Sequence, residues 1–221
     1  MIKAVVFDAY GTLFDVHSVI SLCNELFPAQ GVALSQLWRA KQLEYSWLLS
    51  LMGRYEDFWQ VTARALRFAC RALKLPNEAT QQARLMEAYL HLDPYPEVYA
   101  ALAALADYPL AILSNGSPPM LAAVVASANL QQTFAHVISV DEVRIYKPSP
   151  QVYGLAAEKL GLEAEAIGFV SSNSFDIIGA TAFGFRTFWV NRAANPLDEL
   201  DFAPALTISQ LTDLPGILNR P

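Results

Sequence analysis

Short apolar runs rich in β-branched and aromatic residues recur along the chain, and each ends in polar residues. Ala4 to Phe7 is the first; it stops at Asp8, shortly before Gly11. Residues 110–113 end at Ser114, Asn115 and Gly116, and residues 137–140 end at Asp141 and Glu142. Residues 167–170 end at Ser171, Ser172 and Asn173, and residues 187–190 end at Asn191 and Arg192. A weaker sixth run spans residues 205–208. Runs of this length and composition, closed by turn formers, predict buried strands. Helical patterns lie between them. Pro118 and Pro119 open one, since proline suits the first helical turn. Pro150 opens another, which runs through Tyr153 and Lys159 to Gly161, a good residue just past a helix end. Ser174 to Phe183 makes a third. Strand and helix alternating in this way predict an α/β protein with a Rossmann-like parallel sheet covered by helices. Such sheets bind ligands beyond the C-terminal ends of their strands, where the polar residues above fall.

Residues 15–95 follow another pattern. Leu37, Leu43, Trp47, Leu51, Phe58, Val61, Ala65, Phe68 and Leu73 recur at helical spacing, with few strand-like runs. Gly53 and the stretch Leu75, Pro76, Asn77 break this region into separate helices. The expected organisation is therefore a core domain formed by 1–14 and 96–221, with a helical domain inserted at 15–95. The insert joins the sheet near Phe14 and Asp15 and again near Pro94 to Pro96.

Composition narrows the possibilities. The chain has 221 residues, of which 54% are hydrophobic and 16% charged, which excludes intrinsic disorder. Mean hydropathy is +0.27, yet no stretch approaches the roughly 20 apolar residues of a membrane span. Lys and Arg total 15 against 21 Asp and Glu, a net charge of −6. With no basic block, general nucleic-acid binding is disfavoured, although one buried cation could still bind a small anion. Cys23 and Cys70 are the two cysteines and form neither a disulfide framework nor a zinc site. The N-terminal residues lack the pattern of a signal peptide. Together these features lead to the expectation of a soluble, cytoplasmic protein with no membrane or nucleic-acid partner.

Four strand-end motifs carry the candidate chemistry. Asp8, followed by Tyr10, Gly11 and Thr12, can point a carboxylate into the cleft or simply form a turn. Ser114 and Asn115 precede a helix start, which can bind an anion or cap the helix. Lys147, next to Pro148, could bring a fixed positive charge to Asp8. At ~4 Å and an effective dielectric near 20, that attraction is about 4 kcal/mol and would keep the carboxylate ionised. Asp176 follows Ser171 and Asn173 in a first helical turn, where a carboxylate also suits the helix dipole. Four modest motifs at successive strand ends weigh more together than singly.

At this point the chain resembles the haloacid dehalogenase (HAD) superfamily, and more narrowly its type II L-2-haloacid dehalogenases. The resemblance spans nearly the whole chain: FDAYGTLFD, WRAKQLEYSWL, SNGS, YKPSPQVY and SSNSFDIIGATAFGF. It implies a HAD-like core, an inserted helical cap domain and an active site between them. Phosphatases of the superfamily carry a second aspartate two residues after the nucleophile, where this chain has Tyr10. They also gather carboxylates around Mg²⁺, whereas the fourth motif here offers only Asp176. The expected function is thus an (S)-2-haloacid dehalogenase that uses no cofactor or metal, with a Mg²⁺-dependent phosphatase as the alternative.

The resemblance also implies roles. Asp8 attacks C2 of a short 2-haloalkanoate, halide leaves, and water then attacks the resulting ester at Asp8. Inversion turns an L-2-haloacid into a D-2-hydroxy acid. Thr12 orients Asp8, and Arg39 stabilises the departing halide with Asn115 and Phe175 beside it. Ser114 holds the substrate carboxylate. Lys147 neutralises the site, with Tyr153 and Ser171 hydrogen-bonded around it. Asn173 and Asp176 position and activate water. Tyr10, Leu43 and Phe58 line an apolar pocket, for which plain core packing is an equal alternative. Relatives often have Trp at the position of Phe175 and Gln at that of Ala40. His17, His91 and His136 fit no ligand spacing. Relatives are often homodimers, so a homodimer is expected here.

Overall fold

The computed structural model describes residues 1–76 and 78–218. Asn77, part of one expected break, and residues 219–221 at the end of the expected core domain lie outside the described residues. Six strands form one parallel sheet: β1 (Ala4–Phe7), β2 (Leu110–Ser114), β3 (His136–Ser139), β4 (Ile167–Ser171), β5 (Arg186–Val190) and β6 (Leu206–Ile208). Their order is β3-β2-β1-β4-β5-β6. Strands β1, β2 and β4 are buried at every position, because a parallel sheet covered on both faces offers its inner strands no solvent side. The edges differ. Val137 is 43% exposed and Leu206 is 41% exposed, and Val140 leaves β3 for a short 3-10 turn.

The strand order reverses at β1, with β2 paired on one side and β4 on the other. A crevice opens at such a switch point, beyond the strand ends. Asp8 follows β1, Asn115 follows β2 and Ser172 follows β4, so three of the four motifs meet at that crevice. The fourth reaches it from the loop before a helix opened by Pro150.

The helices between β1 and β2 are α1 (Ile20–Leu26), α2 (Gly31–Leu51), α3 (Phe58–Ala72), α4 (Ala79–Ala88) and α5 (Val98–Ala104). Helix α3 starts where Asp57 Oδ1 accepts from the Gln60 amide at 3.0 Å, an N-cap that satisfies one free donor. It buries Phe58, Val61, Thr62, Ala65, Leu66 and Ala69 as one stripe against α2. Leu51, expected in the apolar pattern of the insert, is instead 85% exposed. It falls at the last turn of α2 on the side of Ile145, while Leu48, Leu49 and Met52 of that end lie beside Arg64, Arg67 and Arg71 of α3. The insert leaves and rejoins the sheet side by side. Asp15 donates its amide to the Asp93 carbonyl at 2.8 Å, and Tyr95 donates to the Leu13 carbonyl at 3.0 Å.

Helices α6 (Pro118–Ser127), α7 (Pro150–Leu160) and α8 (Ser174–Phe183) follow β2, the Lys147 loop and β4, and α9 (Leu214–Leu218) closes the described chain. Both expected proline starts hold, and Gly161 ends α7 with φ +62°. No helix among the described residues is long and apolar enough to cross a membrane.

Candidate active site

Beyond β1 the chain turns tightly. The Ala9 carbonyl accepts the amides of Thr12, Leu13 and Phe14. Gly11 takes φ +90°, a region that side chains disfavour. This turn aims Asp8 into the crevice, where it is 5% exposed. Its Oδ2 accepts from Asn173 Nδ2 at 2.7 Å and from Thr12 Oγ1 at 3.3 Å. Its Oδ1 accepts from Lys147 Nζ at 3.1 Å.

Lys147 spends its other two protons on the Leu113 carbonyl at 2.7 Å and Asp176 Oδ2 at 2.9 Å. Burial works against its ammonium, but the charges of Asp176 and Asp8 outweigh burial and hold it above its ordinary value. Burial raises Asp176 to about 6, with Lys147 pulling down and Asp8 pushing up. Asp176 does not cap its helix through its carboxylate; Oδ1 accepts from the Tyr153 hydroxyl at 2.9 Å. Asn173, the N-cap residue of α8, makes no capping bond either. Its amide is committed to Asp8 and to the Tyr10 carbonyl.

A tight cavity of about 10 Å³ lies over Asp8, room for roughly one water molecule and far below the roughly 300–1,000 Å³ usual for drug-sized ligands. Its wall is formed by Asp8, Tyr10, Ser114, Asn115, Lys147, Asn173 and Phe175 from the core side. Arg39, Leu43 and Phe58 complete it from the insert. Arg39 Nη2 reaches down to Asn173 Oδ1 at 3.3 Å and the Tyr10 carbonyl at 3.4 Å. Asn115 Oδ1 accepts from the Lys147 amide at 3.1 Å. Phe175 meets Trp47 edge-on at 5.2 Å. Gly116 is needed beside this wall, since a Cβ there would sit 2.7 Å from the Tyr10 ring.

The structure departs from the expected arrangement around Lys147. Tyr153 bonds to Asp176 rather than to Lys147, and it lies behind the wall, not on it. Ser171 Oγ accepts the Asn173 amide at 3.1 Å. The reason is saturation: all three ammonium protons already have acceptors. Thr12 and Asp176 also lie behind the wall.

Three residues absent from the expected set bear on this site. Arg192 Nη2 donates to the Thr12 carbonyl at 3.0 Å and Nη1 to Ser172 Oγ at 2.8 Å. Its Nε donates to Glu97 at 2.8 Å, and its guanidinium lies 3.8 Å from the Tyr95 ring centroid. It therefore ties the Asp8 turn to the return crossover of the insert. Gln42 and Tyr89 meet Arg39 inside the insert. The position of Arg192 at a strand end was the one available signal for it. Gln42 lies in the same helical stretch as Arg39.

Residues 2–184 match the model of the haloacid dehalogenase-like hydrolase family. The chain is 51% identical over 212 residues to an (S)-2-haloacid dehalogenase of Pseudomonas sp. (strain YL), covering 95% of this chain and 91% of that one. The crystal structure of an L-2-haloacid dehalogenase superposes with a TM-score of 0.97 at 48% identity, covering 99% of both chains. That of L-2-haloacid dehalogenase from Xanthobacter autotrophicus with chloropropionic acid covalently bound superposes with a TM-score of 0.92 at 44% identity, covering 99% of this chain and 98% of that one. The fold and site thus define a HAD hydrolase. Within that superfamily, the chain belongs to the L-2-haloacid dehalogenase family.

The two carboxylates around Lys147 generate a stability prediction. Lys147→Met should lower the unfolding free energy by about 3–5 kcal/mol, because it strands buried charge. The loss should shrink as pH falls and the carboxylates take up protons. Urea denaturation at neutral and acid pH measures both. A loss below about 1 kcal/mol, the range of exposed pairs, would show that the carboxylates need no counter-charge.

Proposed function

We propose that this protein is an (S)-2-haloacid dehalogenase acting on short L-2-haloalkanoic acids. The observation that carries the reading is the charge of the cavity wall. Asp8 is its one carboxylate among the described residues, and it faces two cations, Arg39 and Lys147. That balance suits a substrate that is itself a carboxylate and expels an anion. The covalent chloropropionic acid of the Xanthobacter relative supports the same reading. Against the phosphatase alternative, the gap between Asp8 and Asp176 is bridged by an ammonium, where a divalent cation would need oxygen ligands. Tyr10 has a phenol that burial, then Tyr89 and Asp8, push above its ordinary range, which makes it a poor acid.

In the first step an Asp8 oxygen attacks C2, and the C2–halogen bond breaks with its electron pair leaving as halide. Arg39 stabilises that charge as it develops. Ser114 and nearby backbone amides hold the substrate carboxylate. In the second step water adds to the Asp8 carboxyl carbon, Asp176 takes its proton, and the bond to the ester oxygen breaks as that oxygen receives the proton from Asp176. The product leaves as the D-2-hydroxy acid, carrying an oxygen that belonged to Asp8. Residues 15–95 act as the cap and 1–14 with 96–221 as the core. Exposed Leu48, Leu51 and Met52 at the end of α2 support a homodimer that would cover them.

Three outcomes follow from this mechanism. With EDTA present, L-2-chloropropionate should release chloride and the D form should not, and Asp8→Asn should abolish release. In H₂¹⁸O with enzyme in excess, the first product should carry no label at its new oxygen. Label there would mean that water attacks C2 directly. The second outcome concerns pH. Asp176 must be ionised to accept a proton, so kcat should fall as pH drops through about 6. No alkaline loss from Lys147 should appear below its ordinary 10.5. An acid limb near the pKa of a free aspartate, about 4, would remove Asp176 from that role. Third, gel filtration should give a species of twice the 24.3 kDa chain; a monomer peak would end the dimer proposal.

A further inference from the structure

Three arginines elsewhere in the fold are paired with glutamates: Arg64 with Glu56, Arg84 with Glu25 and Arg192 with Glu97. Arg39 has no carboxylate within ion-pair distance among the described residues. Its guanidinium is held by three neutral oxygens. Nη1 donates to Gln42 Oε1 at 2.7 Å, the shortest of them. Nη2 donates to the Tyr10 carbonyl and Asn173 Oδ1 at 3.4 and 3.3 Å.

Gln42 is itself fixed. It is fully buried, as is Thr62, and Tyr89 is 3% exposed. The Thr62 hydroxyl donates to the Phe58 carbonyl at 2.6 Å, one turn back on α3. Its oxygen is then left as an acceptor, and Gln42 Nε2 donates to it at 2.6 Å. That contact turns the amide oxygen toward Arg39, where it also accepts the Tyr89 hydroxyl at 3.1 Å. A flipped amide would set a donor against Arg39 on one side and an acceptor against the Thr62 oxygen on the other. Trp38, one residue before Arg39, is locked to the same turn of α3 by Nε1 donating to the Thr62 carbonyl at 2.8 Å.

We propose that Gln42, oriented by Thr62, is a positioning residue that aims Arg39 at the departing halide while leaving its positive charge uncancelled. The inference rests on the dehalogenase reading above. A glutamate three residues on in a helix is an ordinary partner for a cation, and Lys41 with Glu44 makes such a pair in this very helix. At position 42 it would fix the guanidinium equally well but neutralise it. An amide gives the orientation alone.

The test compares Gln42→Glu, Gln42→Met, Thr62→Val and Thr62→Ser, using single turnovers of L-2-chloro- and L-2-bromopropionate. Gln42→Glu should slow carbon–chlorine cleavage about 100-fold, the scale of losing one charge-stabilising group. Thr62→Val and Gln42→Met should each cost about 10-fold, as expected for one misdirected hydrogen bond. Thr62→Ser keeps the hydroxyl and should restore the wild-type rate. KM should change less than about 3-fold, because the interaction is made chiefly in the transition state. Chloride is the poorer leaving group and needs more help. The loss should therefore be larger for the chloro than the bromo substrate, and bromide should inhibit Gln42→Glu more weakly than wild type. Equal losses for both halogens, or losses that follow a lowered melting temperature, would overturn the inference. So would Gln42→Glu and Thr62→Val at wild-type rates. Wild-type protein that releases no halide would overturn the dehalogenase reading and this inference with it.

Discussion

Lys147 places one ammonium between two carboxylates, one just past β1 and one in the first turn of α8, and the site stands on that contact. Asp8 and Asp176 lie at 3.1 and 2.9 Å from Nζ, with all three groups almost free of solvent. Removing such charges from water costs several kcal/mol each, so none of them would be stable there alone. Held together, they fix the ends of β1 and β4 and the loop before α7 relative to one another. The third ammonium proton, given to the Leu113 carbonyl, adds the end of β2. A single residue thereby ties four separated stretches of chain into one floor for the cavity.

That floor also divides the chemistry. Asp8 and Lys147 form their contact entirely within the core, while Arg39 arrives from the insert on a scaffold of neutral oxygens. On the core side two carboxylates share one ammonium, and the insert adds the second cation. A substrate carboxylate and a forming halide would each find a cation on the cavity wall, Lys147 or Arg39.

Much of this was legible in the residues. Strand ends show themselves because a buried apolar run must stop at the residue that faces the crevice, and Asp8, Ser114 and Ser171 all sit at such stops. The insert was legible from its helical spacing. Other features were not, for physical reasons. Leu51 repeats the helical period but lies on a face of α2 turned from α3, and spacing alone says nothing of which face a neighbour covers. Tyr153 and Ser171 belong to the site's surroundings, yet their partners are set by how many protons Lys147 has left. Arg192 acts through backbone carbonyls at Gly11 and Thr12, which carry no side-chain signature. Gln42 reads as one polar residue in a helix until Thr62 is seen opposite.

The two crossings of the insert run side by side, joined by amide bonds between Asp15 and Asp93 and between Leu13 and Tyr95. From the standpoint of the sheet, the helical insert enters and leaves almost as a surface loop would. The architecture is therefore modular: the floor and its nucleophile can be inherited unchanged while the roof is exchanged. Selectivity for the bond that is broken can then diversify by swapping what hangs over Asp8, without disturbing the strands that hold it.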